Sequence, residues 1–147
     1  MADEGGVSAV VCREVVSTPI TSADDFELAF QRMTQAGAKG MINVPDSLFF
    51  QWRQRLAELA LQHRLAAMIG AVEFADAGML MAYAVEFKPI FKRAAALVDR
   101  LLKGADPAGI PVEQANTYEL VVNLRTARTL GIELPRSLRL QATRVIE

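Results

Sequence analysis

Apolar and polar positions along this chain switch repeatedly between two periods. Val7 to Val16 (VSAVVCREVV) is rich in β-branched residues and predicts a strand, closed by Thr18-Pro19. From Ser22 the spacing becomes helical: Phe26, Ala29, Phe30 and Met33 define one apolar face. Ser22 is a suitable N-cap, Asp24 and Asp25 sit where a helix N-terminus favours negative charge, and Gly37 is a stop. Met41 to Val44, between Gly40 and Pro45, predicts a short buried strand. Asp46 or Ser47 then caps a long helix to about Arg64, with Leu48, Trp52, Leu56, Leu59 and His63 on its apolar side. Leu65 to Ile69 predicts a strand, Phe74 to Ala77 a helical turn, and Met79 to Val85 another strand.

Pro89 lies in the first turn of the next helix, where its missing N–H costs little, and Ile90, Ala94, Leu97, Val98, Leu101 and Leu102 form its stripe. Gly104 to Pro111 (GADPAGIP) is a loop. Thr117 to Val122 predicts a strand, Leu124 to Leu130 a short helix stopped by Gly131, and Ser137 to Val145 a final helix after Pro135. Such alternation predicts an α/β fold: a three-layer, Rossmann-like parallel sheet flanked by helices. Residues 1–6 read as a flexible N-terminus and residues 7–147 as a single α/β domain.

Composition narrows the function classes. The chain has 147 residues, 52% apolar and 22% charged, enough for a real core. The apolar stretch from Leu65 to Val85 is interrupted by Glu73 and Asp76, so it reads as buried strands rather than a membrane span. Met1 to Gly6 carries Asp3 and Glu4 and does not read as a secretory signal. A net charge of −1 argues against nucleic acid as a partner; the Arg-rich stretch from Asn123 to Glu147 reads as a solvated helical face. Cys12 and His63 are each the single residue of their type, which speaks against a His/Cys zinc site. The glycines form neither a phosphate loop nor a dinucleotide fingerprint. No cofactor, metal or catalytic group is expected, and the chain does not read as an enzyme.

The stretch Leu101 to Leu130, LLKGADPAGIPVEQANTYELVVNLRTARTL, resembles the end of bacterial ABC-transporter substrate-binding proteins of the tryptophan/tyrosine type. The matching elements are Lys103 to Ala105, Pro111 to Gln114 and Glu119 to Ala127. VPDSLFF (Val44 to Phe50) and AGMLMAY (Ala77 to Tyr83) are similar to family segments too. The resemblance implies one lobe of a type I periplasmic-binding-protein-like receptor, a small organic or amino-acid-like ligand, an ABC permease as partner, and a periplasmic location. A cytoplasmic location follows instead if the chain is the complete natural product. Family members are about twice as long, so the resemblance covers a C-terminal portion. Where they tend to carry an aromatic and an Arg before a Glu, this chain has Ala71, Val72 and Glu73.

Ligands in open α/β sheets bind beyond the carboxyl ends of the strands. That selects Pro45 to Phe49, Gly70 to Phe74 and Tyr83 to Glu86. Asp46 and Ser47 start a helix, where free amides suit an anionic group, or simply cap it. Phe49 stacks on a ligand or packs in the core. Glu73 binds an ammonium group or is a solvated loop carboxylate, and Tyr83 presents its hydroxyl to a ligand or satisfies it within the protein. By resemblance, the 87–103 helix belongs to a lobe without counterpart here, and 104–113 is the hinge-like crossover. Left without a sheet to cover, its stripe predicts a homodimer or higher oligomer formed through that helix, or a helix folded back on its own sheet. Two functions compete: a solute-binding domain, and a non-catalytic structural or interaction module that works as an oligomer.

Overall fold

The computed structural model describes residues 15–147. The strand expected over Val7–Val16 therefore lies mostly outside the described residues; Val15 and Val16 themselves are irregular. The chain proceeds through a 3-10 turn (Ala23–Asp25), α1 (Phe26–Gln35), β1 (Gly40–Asn43), α2 (Ser47–Gln51), α3 (Arg53–Gln62), β2 (Ala66–Ile69), α4 (Val72–Asp76) and β3 (Met81–Val85). It continues as α5 (Phe87–Leu102), a 3-10 turn (Pro107–Gly109), β4 (Tyr118–Asn123), α6 (Leu124–Leu130), α7 (Arg136–Gln141) and β5 (Arg144–Ile146).

The five strands form one sheet in the order β1-β2-β3-β4-β5. β1, β2 and β3 run parallel, and β4 and β5 run parallel to each other, but β3 and β4 are antiparallel. The α/β fold is as expected; the sheet is mixed rather than all parallel. The reason is where the chain re-enters. It leaves β3 at the carboxyl edge, travels out along α5, and returns through Thr117 to that same edge, so β4 must run back the other way. Glu86 N–H donating to the Thr117 carbonyl at 2.9 Å ties the outgoing and returning strands together.

Three further boundaries differ from expectation. The long helix after Pro45 is two helices, because Trp52 (φ −102, ψ 19) leaves helical geometry between α2 and α3 and stands exposed instead of joining the apolar face. The final helix stops at Gln141. Thr143 then pairs with Leu120 through its amide (2.8 Å to the carbonyl) and its hydroxyl, which accepts from the Leu120 amide at 3.1 Å, so Arg144–Ile146 joins the sheet as β5. The strand expected from Thr117 ends one residue later than predicted, at Asn123.

Strand register sorts the side chains onto two faces. One face carries Met41, Ala67, Ile69, Ala82, Ala84, Val121 and Asn123. It is packed by α1, α3 and α4 through Phe30, Leu56, Leu59 and Phe74, all fully buried. Side chains of that size each contribute about 1.5–3 kcal/mol on burial. The opposite face carries Ile42, Ala66, Met68, Met81, Tyr83, Val85, Tyr118, Leu120 and Val122. There α6 and α7 cover only one end, packing Ala127, Leu134 and Leu138 against Ala66, Met81, Leu120 and Val122. Among the described residues, that second face is open toward the carboxyl edge of β1–β3.

Helix α5 covers neither face. None of its residues is buried among the described residues. Its companion is the returning segment, held by the two-pronged ion pair of Arg93 with Glu113. Glu113 is pulled below the usual carboxylate range by that hydrogen-bonded guanidinium.

Asn123 fastens the two halves of the sheet system. Its side-chain amide donates to the Ala75 carbonyl at the end of α4 (3.0 Å), and its Oδ1 accepts from Thr126 N–H at 3.2 Å, capping α6. We predict that Asn123→Ala lowers stability by about 1–2 kcal/mol, since it removes the N-cap of α6 and one of the two hydrogen bonds to the Ala75 carbonyl, the other coming from Gly78 N–H. Urea denaturation checks this, and a loss below about 0.5 kcal/mol would contradict the assigned role.

Candidate functional site

The three segments selected at the strand ends lie side by side. Pro45 follows β1, Gly70 follows β2 and Tyr83 is in β3, next in order across the sheet. Gly70 shows how close they are. A Cβ built there would stand 3.1 Å from Pro45 Cγ and 3.8 Å from the Tyr83 carbonyl oxygen. The missing side chain at residue 70 is what lets the β1–α2 turn settle over the end of β2.

Within that edge each residue has a definite place. Asp46 is extended (φ −144, ψ 154), and its Oδ1 accepts from Leu48 N–H at 2.8 Å, which makes it the N-cap of α2. Ser47 is the first residue of α2; both are exposed. Glu73 lies half-buried in the first turn of α4, where a carboxylate complements the amides that Ala71 leaves without a side-chain cap. Tyr83 is 48% exposed on the open face and stacks on Tyr118, ring centroids 5.3 Å apart and planes 9° from parallel. Phe49 instead packs toward α1, 6.1 Å from the Phe26 ring, against the core of the other face. Asp46, Ser47 and Glu73 are thus brought to one edge, while Phe49 and Tyr83 turn to opposite sides of the sheet.

Two residues of this region were not picked out from the sequence. Tyr118 joins it because β4 pairs antiparallel with β3, bringing Tyr118 opposite Val85. Arg144 reaches across to Asp76 with both Nη atoms, at 2.6 and 3.0 Å. Its guanidinium is held charged chiefly by that hydrogen bond, with Glu119 and Glu73 adding to the field. Three carboxylates around one guanidinium leave this flank of α4 with surplus negative charge. Neither residue had a sequence signal, since both meet the region through long-range strand pairing. His63 fits its expected packing role: Nδ1 lies 3.0 Å from Thr34 Oγ1, and its ring lies against Phe30 at 5.7 Å.

A cavity of about 1010 Å3 runs along β1 to its carboxyl end at Asn43 and Val44, lined also by Ile20, Phe30, Ile42 and Phe49. Phe49 is the one strand-end candidate that lines it. Among the described residues no group of three or more metal-ligating side chains comes together, and no helix is long and apolar enough to cross a membrane.

The close approach at Gly70 yields a test of the site's framework. Gly70→Ala is expected to cost about 1 kcal/mol, because the new methyl, 3.1 Å from Pro45 Cγ, makes Pro45 give by a fraction of an ångström. Thermal denaturation reads the cost, and an unchanged midpoint would show that the β1–α2 turn yields freely.

Residues 12–146 match the family described as ABC transporter substrate binding protein. No protein of curated function matches in sequence. Three solved structures share the fold. One is a conserved domain protein from Vibrio cholerae O1 biovar El Tor, 21% identical, TM-score 0.75, matched over 84% of this chain and 42% of that one. Another is an ABC domain from Streptococcus pneumoniae in complex with L-Trp, 21% identical, TM-score 0.77, over 86% and 43%. The third is a ligand-free, open substrate-binding protein with adhesive properties from Clostridium difficile, 15% identical, TM-score 0.68, over 90% and 44%. This chain therefore spans less than half the length of each of those chains.

Proposed function

The chain belongs to the ABC transporter substrate-binding protein family, and we propose that it supplies one wall of a solute-binding cleft, formed by Pro45–Phe49, Gly70–Phe74 and Tyr83–Glu86. The observation that carries this reading is the contact of Pro45, Gly70 and Tyr83 at the carboxyl edge of three parallel strands, the place where open α/β sheets take ligands.

An amino-acid-like solute suits the wall. Glu73, backed by the surplus carboxylates around Arg144, attracts an ammonium group, and the Tyr83–Tyr118 stack offers an aromatic plane. The similar protein from S. pneumoniae, in complex with L-Trp, makes that amino acid the first ligand to try. In this reading the chain binds and hands on a solute to an ABC permease outside the cytoplasm, without catalysis. The exposed apolar face of α5 is assigned to assembly, with a second copy of the chain as partner.

Native mass spectrometry of the purified chain, followed by calorimetric titration with L-Trp and other amino acids, tests the binding reading. A retained small mass or a saturable heat is expected, with Glu73→Gln and Tyr83→Ala each weakening binding about tenfold or more. Absence of both the mass and the heat would leave the exposed α5 face as the functional feature and favour a non-catalytic interaction module.

A further inference from the structure

β1 is an edge strand: it pairs with β2 on one side and, among the described residues, with no strand on the other. The cavity of about 1010 Å3 runs along this strand, from Gly37 and Lys39 at its amino end to Val44 at its carboxyl end. Ile42 and Val44 are 84% and 78% exposed, and both line the cavity together with Met33 and Phe30 of the core. Residues 40–44 hold neither a charge nor a proline, the two devices that ordinarily blunt an exposed sheet edge. The remaining side of the cavity is formed by residues 15–20, the first described stretch of the chain.

Chain continuity delivers the preceding residues to this groove. Residue 14 is one peptide bond from Val15, and residues 7–16 reach about 33 Å when extended, against about 13 Å for the four residues of β1. Connectivity sets their direction. α1 packs Phe26, Phe30 and Met33 into the core face and passes into β1 through residues 36–39. A strand ahead of α1 completes a strand–helix–strand unit, and such units hold their two strands parallel with a right-handed crossover. Composition suits the part, with five valines among residues 7–16. Tethering adds a third constraint. A segment joined to Val15 meets the edge at an effective concentration of roughly millimolar, which a strand of another molecule does not match in dilute solution.

We propose that residues 7–14 of this chain dock in the groove as an added strand, parallel to β1 along its free edge. Main-chain hydrogen bonds to the outer side of β1 hold the strand there, satisfying edge groups that otherwise face solvent. Its side chains cover Ile42 and Val44 and close the cavity over Phe49. The β1 flank of the Pro45–Phe49 turn then has a neighbour on each side, β2 and the added strand. A strand from a second copy is the competing occupant of the same edge. The inference stands apart from the ligand reading, since it requires no solute and concerns the edge of the sheet rather than its strand-end turns.

Cys12, the single cysteine, lies in the segment and reports the contact. Full chains carrying Met41→Cys, Ile42→Cys, Asn43→Cys or Val44→Cys are oxidised in dilute solution, and the disulfides are mapped by mass spectrometry. Neighbouring strands lie about 4.8 Å apart, within disulfide reach, and side chains alternate between the two faces of a strand. Strand addition therefore predicts disulfides within one chain at positions of one parity, 41 and 43 or 42 and 44, forming at least tenfold faster than at the other pair. Val10→Pro and Val11→Pro supply a second reading, because one of them removes a main-chain donor aimed at β1. That variant is expected to speed amide exchange across residues 40–44 at least tenfold with unchanged circular dichroism. Equal rates at all four positions describe an unordered tether and overturn the proposal, as does a failure to link at any of them. Links formed only between chains make a second copy the occupant and overturn it too. Exchange across residues 40–44 that is indifferent to both prolines has the same consequence.

Discussion

The antiparallel ladder of β3 with β4, from Met81–Val122 to Val85–Tyr118, is the constraint on which the rest of the molecule turns. It is the seam between two parallel groups of strands. Without it β4 and β5 have no sheet to extend, and α4 loses the Asn123 donor at its end. The same ladder closes the excursion through α5 by bringing the outgoing and returning chain to one edge. Its register also decides that Tyr83 and Tyr118 meet on the open face and that Val121 is buried on the other.

From that ladder follows an unequal distribution of cover. α1, α3 and α4 pack one face into a continuous core, whereas α6 and α7 reach only part of the other. The exposed remainder lies at the carboxyl edge of β1–β3, beside the turns that hold Asp46, Ser47 and Glu73. The proposed ligand wall and the open face are therefore neighbours, and Tyr83 belongs to both.

Much of the fold was legible because its signals are local. Phe26, Ala29, Phe30 and Met33 recur at helical spacing and are all buried on α1, and the strands at β1, β2 and β3 fall where short apolar runs end at Gly or Pro. The carboxyl-edge turns could be located because strand order and direction follow from βαβ alternation. What could not be read was anything set by pairing between distant segments. The direction of β4 depends on where α5 delivers the chain, and β5 exists only because Leu120 engages Thr143 and the Val121–Asn123 edge accepts Arg144–Ile146. Trp52 misled for a related reason: it continues the apolar spacing, but α2 and α3 bend there and turn it outward.

The sequence by itself determined the α/β class, the helix faces, the strand-end turns, the family resemblance and the bare apolar stripe of α5, because periodicity, capping and turn chemistry act over a few residues. Tertiary structure alone decided the mixed sheet, the stacking of Tyr83 on Tyr118, the reach of Arg144 to Asp76, and the separation of Phe49 from Tyr83 onto opposite faces. Those outcomes depend on register and on loop length between elements far apart in the chain. Neither quantity leaves a trace in local spacing, and a shift of one residue in register would move a strand side chain such as Tyr83, Tyr118 or Arg144 to the other face.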